Sequence, residues 1–209
     1  MTIDIWFYYV LAVLILTASP GPSSLLCMTK GVTFNWKVGA YTALGSLTAI
    51  TAIMTLSFTG LGVVVASSEW IFNLVKWIGA AYLVYLGIKS FMSKQQDYQQ
   101  ANMLDAPTGG FSHHYLSGFI VGASNPKAIL FFTALFPQFI DPNANLLTQY
   151  CIFASTFMCL ELSWLLFYAY LGAKSSSWIF ASGRAKLFNR LTGGIFIGAG
   201  AILSTTTRT

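Results

Sequence analysis

Charge is scarce in this chain. Only 8% of the 209 residues are Asp, Glu, Lys or Arg, with six acids against eleven bases, whereas a soluble domain carries about 25% charged residues. The net charge of +5 is too small and too dispersed for a nucleic-acid surface. Cysteine is also sparse: Cys27, Cys151 and Cys159 lie in or beside apolar runs. An odd number in such places argues against a disulfide framework and a zinc site, and fits small core residues. The N-terminus lacks the basic segment of a secretory leader and carries Asp4. Its apolar run Ile5–Leu16 continues past an interruption to Met28, so it reads as a retained first span. There is no nucleophile–base pair, paired-aspartate site or His-Glu cluster. No catalytic residue, metal site or cofactor is therefore expected, and the chain is not read as an enzyme.

Apolar residues are plentiful, at 56%. A helix needs roughly 20 of them in a row to cross a bilayer. Six runs qualify or nearly do, at about 5–28, 38–66, 70–92, 114–140, 148–172 and 187–205. The second is longer than one perpendicular crossing needs, and Thr59-Gly60 offers a bend. The predicted fold is an all-α membrane protein of six transmembrane helices. Residues 1–209 form one transmembrane domain, with a repeat over 1–92, a linker over 93–113 and a second repeat over 114–209. The polar string Lys94-Gln95-Gln96-Asp97-Tyr98-Gln99-Gln100 sits in the linker. Three crossings per half put the second half upside down relative to the first, the inverted arrangement that supports alternating access.

Basic residues set the orientation. Lys30, Lys37, Lys89, Lys94, Lys174, Arg184, Lys186 and Arg190 share one predicted side. By the positive-inside rule that side is cytoplasmic, and both termini are then periplasmic. Glycines in spans three and six (Gly79, Gly87, Gly193, Gly194, Gly198) form small-residue faces that suit packing within one copy and equally a homodimer.

Two helix-breaking motifs interrupt spans one and four: Ala18-Ser19-Pro20-Gly21-Pro22 and Ala123-Ser124-Asn125-Pro126-Lys127. Proline lacks an N–H and clashes with the preceding turn, so each break frees backbone polar groups. Lipid cannot satisfy those groups, so each break must face protein or a water-filled cavity. Interrupted spans at matching places in two halves point to a transporter binding site. The half-helix that follows a break offers free N–H groups and a partly positive end, which suit a carboxylate. Pro20, Gly21, Pro22 and Ser23 are candidates in the first half, and Asn125 and Pro126 in the second. Simple kinks are the alternative.

Two charged residues lie well inside the runs: Glu161 in span five and Lys127 in the second break. Each would cost about 2.5–3.5 kcal/mol at the bilayer centre, so neither should face lipid. They form a charge pair, or Glu161 meets a proton or the ammonium of a substrate. Two half-helix ends plus a buried carboxylate suit a zwitterionic amino acid. Thr48 and Thr51 in span two extend the candidate path, although hydroxyls in membrane helices commonly bond back to their own carbonyls. His113-His114 reads as a solvated loop end, and Asp141-Pro142-Asn143 as an outer turn.

These residues resemble the LysE/RhtB family of bacterial amino-acid exporters, over essentially the whole chain. The resemblance is carried by Pro20-Gly21-Pro22, by Asn125-Pro126-Lys127 running through Phe136-Pro137-Gln138-Phe139-Ile140-Asp141, and by Gly79-Ala80-Ala81 through Gly87. It implies a six-span inner-membrane exporter of amino acids driven by the proton-motive force, with the two breaks flanking the substrate path. Glu161 stands where some relatives also carry a glutamate. Several relatives have an aspartate in span two, near Ile50, where this chain offers Thr48 and Thr51. That departure disfavours a dibasic substrate and favours a neutral or homoserine-like one. The competing readings are a non-transporting membrane scaffold and a metal-ion exporter of the wider superfamily.

Overall fold

The computed structural model describes residues 2–60, 69–92, 110–141, 143–180 and 184–205. These residues form eight α-helices and no strand. Helix α1 covers Ile3–Ala18 and α2 covers Pro22–Thr33. Thr2 caps α1 by accepting from the Ile5 N–H, with Asp4 at the positive end of the helix. Ser19 and Gly21 each precede a proline and are therefore driven to extended backbone, with ψ of 129° and −175°. These two extended residues, on either side of Pro20, end α1, and the chain bends by 47° into α2.

Helix α3 spans Trp36–Phe58, capped by Asn35 on the Val38 N–H at 3.1 Å. It stops short of the expected residue 66 because Gly60 adopts φ of +72°, a left-handed conformation that glycine takes without strain. Helix α4 covers Glu69–Met92. Helix α5 covers Phe111–Ala123, so 111–113 belong to a helix and not to the linker. Residues 93–109 of the linker, including Lys94–Gln100, lie outside the described residues. The second break follows α5. Asn125 is held extended by Pro126, and helix α6 covers Pro126–Leu130 after a bend of 50°.

Helix α6 does not continue as an ordinary helix. It widens into a π turn at Phe131–Leu135, then tightens into a 3-10 turn at Phe136–Phe139. Pro137 explains the change, because it cannot donate to a carbonyl four residues back and its ring crowds that turn. Ser57 of α3 donates to the Phe132 carbonyl within the widened turn. Helix α7 runs Leu146–Phe180, well beyond the expected 148–172, and α8 covers Arg184–Thr205.

Among the described residues two helices are long and apolar enough to span a membrane: α3 and the Leu146–Ser176 part of α7. The two bent pairs raise the number to four. The expected six crossings are thus only partly marked by length and apolarity. Helix α8 opens with Arg184, Lys186 and Arg190, and the apolar stretch after them is short of a full crossing.

The most extensive helix contacts join the two halves of the chain: α3 lies along α5, α2 along α7, and α4 along α8. Glycine permits the close approach. An added Cβ on Gly45 would stand 1.9 Å from the Tyr115 carbonyl oxygen, and one on Gly118 would stand 2.0 Å from that of Thr42. Gly31 and Gly172 make the corresponding approaches between α2 and α7. Gly87 and Gly193 pack α4 on α8 within one copy.

One core cluster gathers Tyr9 and Val13 of α1, Ile50 and Met54 of α3, Phe132 and Phe136, and Phe153 and Phe157 of α7. Beside it, Gln149 closes the turn that leads into α7. It accepts from the Asp141 N–H at 3.0 Å and donates to the Asp141 carbonyl at 2.9 Å, while Asp141 Oδ1 accepts from the Asn143 N–H. Gln149→Ala strands both backbone groups of Asp141. It should lower stability by about 1–3 kcal/mol, read as an earlier thermal unfolding midpoint in detergent.

The opposite end holds Phe34 and His114, with ring centroids 5.4 Å apart. His114 is buried, which corrects the expectation of a solvated loop end: α5 begins before it and turns its ring against Phe34. Cys27 is buried as expected, whereas Cys151 and Cys159 are exposed on α7.

Candidate functional site

The two breaks meet. Lys127, the second residue of α6, reaches across to the end of α1. Its Nζ donates to the Leu16 carbonyl at 2.5 Å, the Ser19 carbonyl at 2.6 Å and Ser19 Oγ at 3.2 Å. The last carbonyls of a helix have no partner within it and carry its negative end. An ammonium placed there satisfies both the hydrogen bonds and the charge. Tyr168 of α7 donates its hydroxyl to the neighbouring Ala18 carbonyl at 2.9 Å. The end of α1 is therefore held by two side chains from the second half of the chain.

Asn125 ties the other strands of the junction. Its Oδ1 accepts from the Lys127 N–H at 3.2 Å, capping α6, and its Nδ2 donates to Ser23 Oγ at 3.1 Å. Gly21 supplies the room. A Cβ on it would lie 3.3 Å from Lys127 Cε and 4.0 Å from Asn125 Nδ2. Pro22 and Pro126 are both buried at the start of their half-helices, while Pro20 and Ser19 are exposed. No side chain caps α2 at Gly21, so the N–H groups of its first turn remain on offer.

Glu161 lies on α7 and is 7% exposed. Among the described residues no hydrogen-bond donor and no ion-pair partner contacts its carboxylate. Its charge nevertheless acts on Lys127 and on Cys27. Glu161 and Lys127 thus share an electrostatic field without touching, and the ammonium's hydrogen bonds go to α1.

Thr48 and Thr51 are not brought into this bonded junction. Thr48 is exposed and donates to the Leu44 carbonyl at 2.9 Å, the back-bonding habit of hydroxyls in helices. Thr51 Oγ1 is buried without a hydrogen-bond partner. Tyr168 escaped the sequence reading. Its signal was spacing: it follows Glu161 by two helical turns, on the same face of α7.

The LysE type translocator family matches residues 14–207. This chain is a LysE type translocator. It is accordingly a membrane transporter and not an enzyme. The translocator is 34% identical to "Uncharacterized membrane protein YrhP" of Bacillus subtilis, over 87% of this chain and 89% of that protein. It is 32% identical to a homoserine/homoserine lactone efflux protein of Salmonella typhi, over 98% of each. An uncharacterized membrane protein of Vibrio cholerae is 30% identical over 98% of each. No solved structure matches the translocator.

Proposed function

We propose that this translocator exports small neutral or homoserine-like amino acids across the bacterial inner membrane, driven by the proton-motive force. The observation that carries this reading is the contact between the two broken spans. Gly21 lies against Lys127 and Ser23 against Asn125. Aligned on Pro22 and Pro126, Gly21 corresponds to Asn125 and Ser23 to Lys127. The two contacts therefore exchange with each other under a two-fold operation that swaps the halves. That pattern supports six spans arranged as inverted repeats, with the site on the pseudo-axis.

The chemistry fits a zwitterion. The open first turn of α2 offers N–H groups and a positive dipole end to the substrate carboxylate. Glu161, buried without a donor, offers a carboxylate to the substrate ammonium or to a proton. A homoserine/homoserine lactone efflux protein at 32% identity supports the neutral or hydroxylated substrate class.

Orientation follows the basic end. Lys30 and Lys89 act on each other electrostatically, and Gly172, just before Lys174, packs on Met28, just before Lys30. Collected at one end, these charges support a cytoplasmic face there and periplasmic termini. Extracellular metabolite profiling of cells with and without the protein tests the proposal. One or a few neutral amino acids, homoserine among them, should accumulate outside, and a protonophore should stop the accumulation. No change across a broad panel would favour the non-transporting scaffold.

A further inference from the structure

The junction carries an inference that deepens the export reading and rests on it. The end of α1 is held from outside its own half of the chain. Of its terminal carbonyls, Leu16 and Ser19 accept from Lys127 and Ala18 accepts from Tyr168. The corresponding end of α5, at the other break, is closed locally: the Ser124 N–H bonds back to Ile120 and the Asn125 N–H to Gly122. The Ser19 N–H likewise bonds back to the Ile15 carbonyl at 3.4 Å, so what sets the end of α1 apart is the added hold of Lys127 and Tyr168.

The fastening is reversible by its chemistry. The ammonium makes a charge-assisted hydrogen bond to either acceptor, but a carboxylate adds the attraction of opposite charges, which a neutral carbonyl lacks. Glu161 is buried, holds no donor among the described residues, and lies on the face of α7 that brings Tyr168 to the end of α1, where Lys127 is bound. An ionised, empty Glu161 therefore competes with α1 for the ammonium. A Glu161 occupied by a proton or a substrate ammonium does not.

We propose that Lys127 and Tyr168 form a releasable clasp on the C-terminal carbonyls of α1, and that Glu161 opens it by taking the Lys127 ammonium. Lys127 and Tyr168 are positioning residues in this scheme. They act on the substrate path through the placement of α1. Loading Glu161 returns the ammonium to α1 and closes the clasp, so occupancy of one carboxylate sets the position of one half-helix. The described arrangement, with the ammonium on Leu16 and Ser19, is the clasped state.

The test reads the position of α1 directly. Thr17 is buried in the last turn of α1. Thr17→Cys is made in full-length protein carrying Cys27→Ala, Cys151→Ser and Cys159→Ser, reconstituted in lipid vesicles, and its alkylation by N-ethylmaleimide is timed. Tyr168→Phe keeps the ring and removes one hydrogen bond, so labelling should rise roughly fivefold. Lys127→Gln removes a charged donor, and labelling should rise roughly tenfold or more. Glu161→Gln removes the competitor, and labelling should fall below that of the parent. Unchanged labelling in both clasp variants, with complete labelling after denaturation, overturns the clasp. Faster labelling in Glu161→Gln overturns the assignment of Glu161 as its opener. Tyr168→Phe guards against misfolding, because its loss is a single hydroxyl. The readout also separates the two proposals. Altered labelling in a protein that exports no amino acid leaves the clasp standing and removes the export reading. Normal export with unaltered labelling does the reverse.

Discussion

Glu161→Gln is expected to bring amino-acid export down to background while the protein still inserts, folds and accumulates. The substitution keeps the shape and the hydrogen-bonding reach of the side chain and removes its charge. Losing one member of a desolvated charge contact is worth about 2–5 kcal/mol, which corresponds to roughly thirtyfold or more in flux. Stability should move the other way. The carboxylate is buried with no donor on it among the described residues, so an ionised Glu161 is held against its own desolvation. A neutral amide avoids that penalty, and the thermal unfolding midpoint should stay level or rise. Groups kept at the expense of stability are commonly functional. Export assays and detergent melting curves on the same preparation check both halves. Normal export by the Gln variant removes Glu161 from the transport step, and a collapse of stability would recast it as a structural group.

Gly45→Ala is expected to be the most damaging single-methyl substitution in the bundle. The new Cβ would meet the Tyr115 carbonyl oxygen at 1.9 Å, with the carbonyl carbon at 2.8 Å and the Phe119 nitrogen at 2.9 Å. All three neighbours are backbone, so no rotamer change relieves the contact and α3 must move off α5. Overpacking costs about 1–3 kcal/mol where side chains can adjust and more where they cannot, against roughly 1 kcal/mol of helix propensity gained by replacing glycine. The variant should lose most of its folded yield and melt well below the parent. Gly194→Ala is the matched control. Nothing lies within 4 Å of its added Cβ, so the propensity gain acts alone and the variant should be level or slightly more stable. Equal behaviour of the two variants would contradict the close α3–α5 approach.

The parts of this fold that were legible in the sequence are those with local causes. The breaks at Ser19–Gly21 and Ser124–Asn125 follow from the restriction that proline imposes on the residue before it. Asp141–Asn143 closes an Asx turn for a similarly local reason. Glu161 stood out because an acid in the middle of an apolar run has few benign explanations. The partners of Lys127 were illegible because they are backbone carbonyls, and a carbonyl leaves no mark in the residue code. Tyr168 was hidden among other aromatics, with the two-turn spacing from Glu161 as its sole signal. His114 was misjudged for a related reason: its burial depends on Phe34, which is distant in sequence and adjacent in space. The π and 3-10 turns after α6 leave hydrophobic periodicity unchanged, and Pro137 is their one local cause.

The glycine contacts between α3 and α5 and between α2 and α7 have a consequence for mechanics. Each of these tight pairs takes one helix from each half of the chain. A body that moves as a piece in this translocator cannot be one sequence half rocking on the other, since such a motion would tear both pairs apart. The stiff units are cross-half pairs, and the joints between them fall where regular helix stops, at Ser19–Gly21 and Ser124–Asn125. The proposed substrate site and the hinge are then the same few residues, so cargo that fills the site would also load the joint.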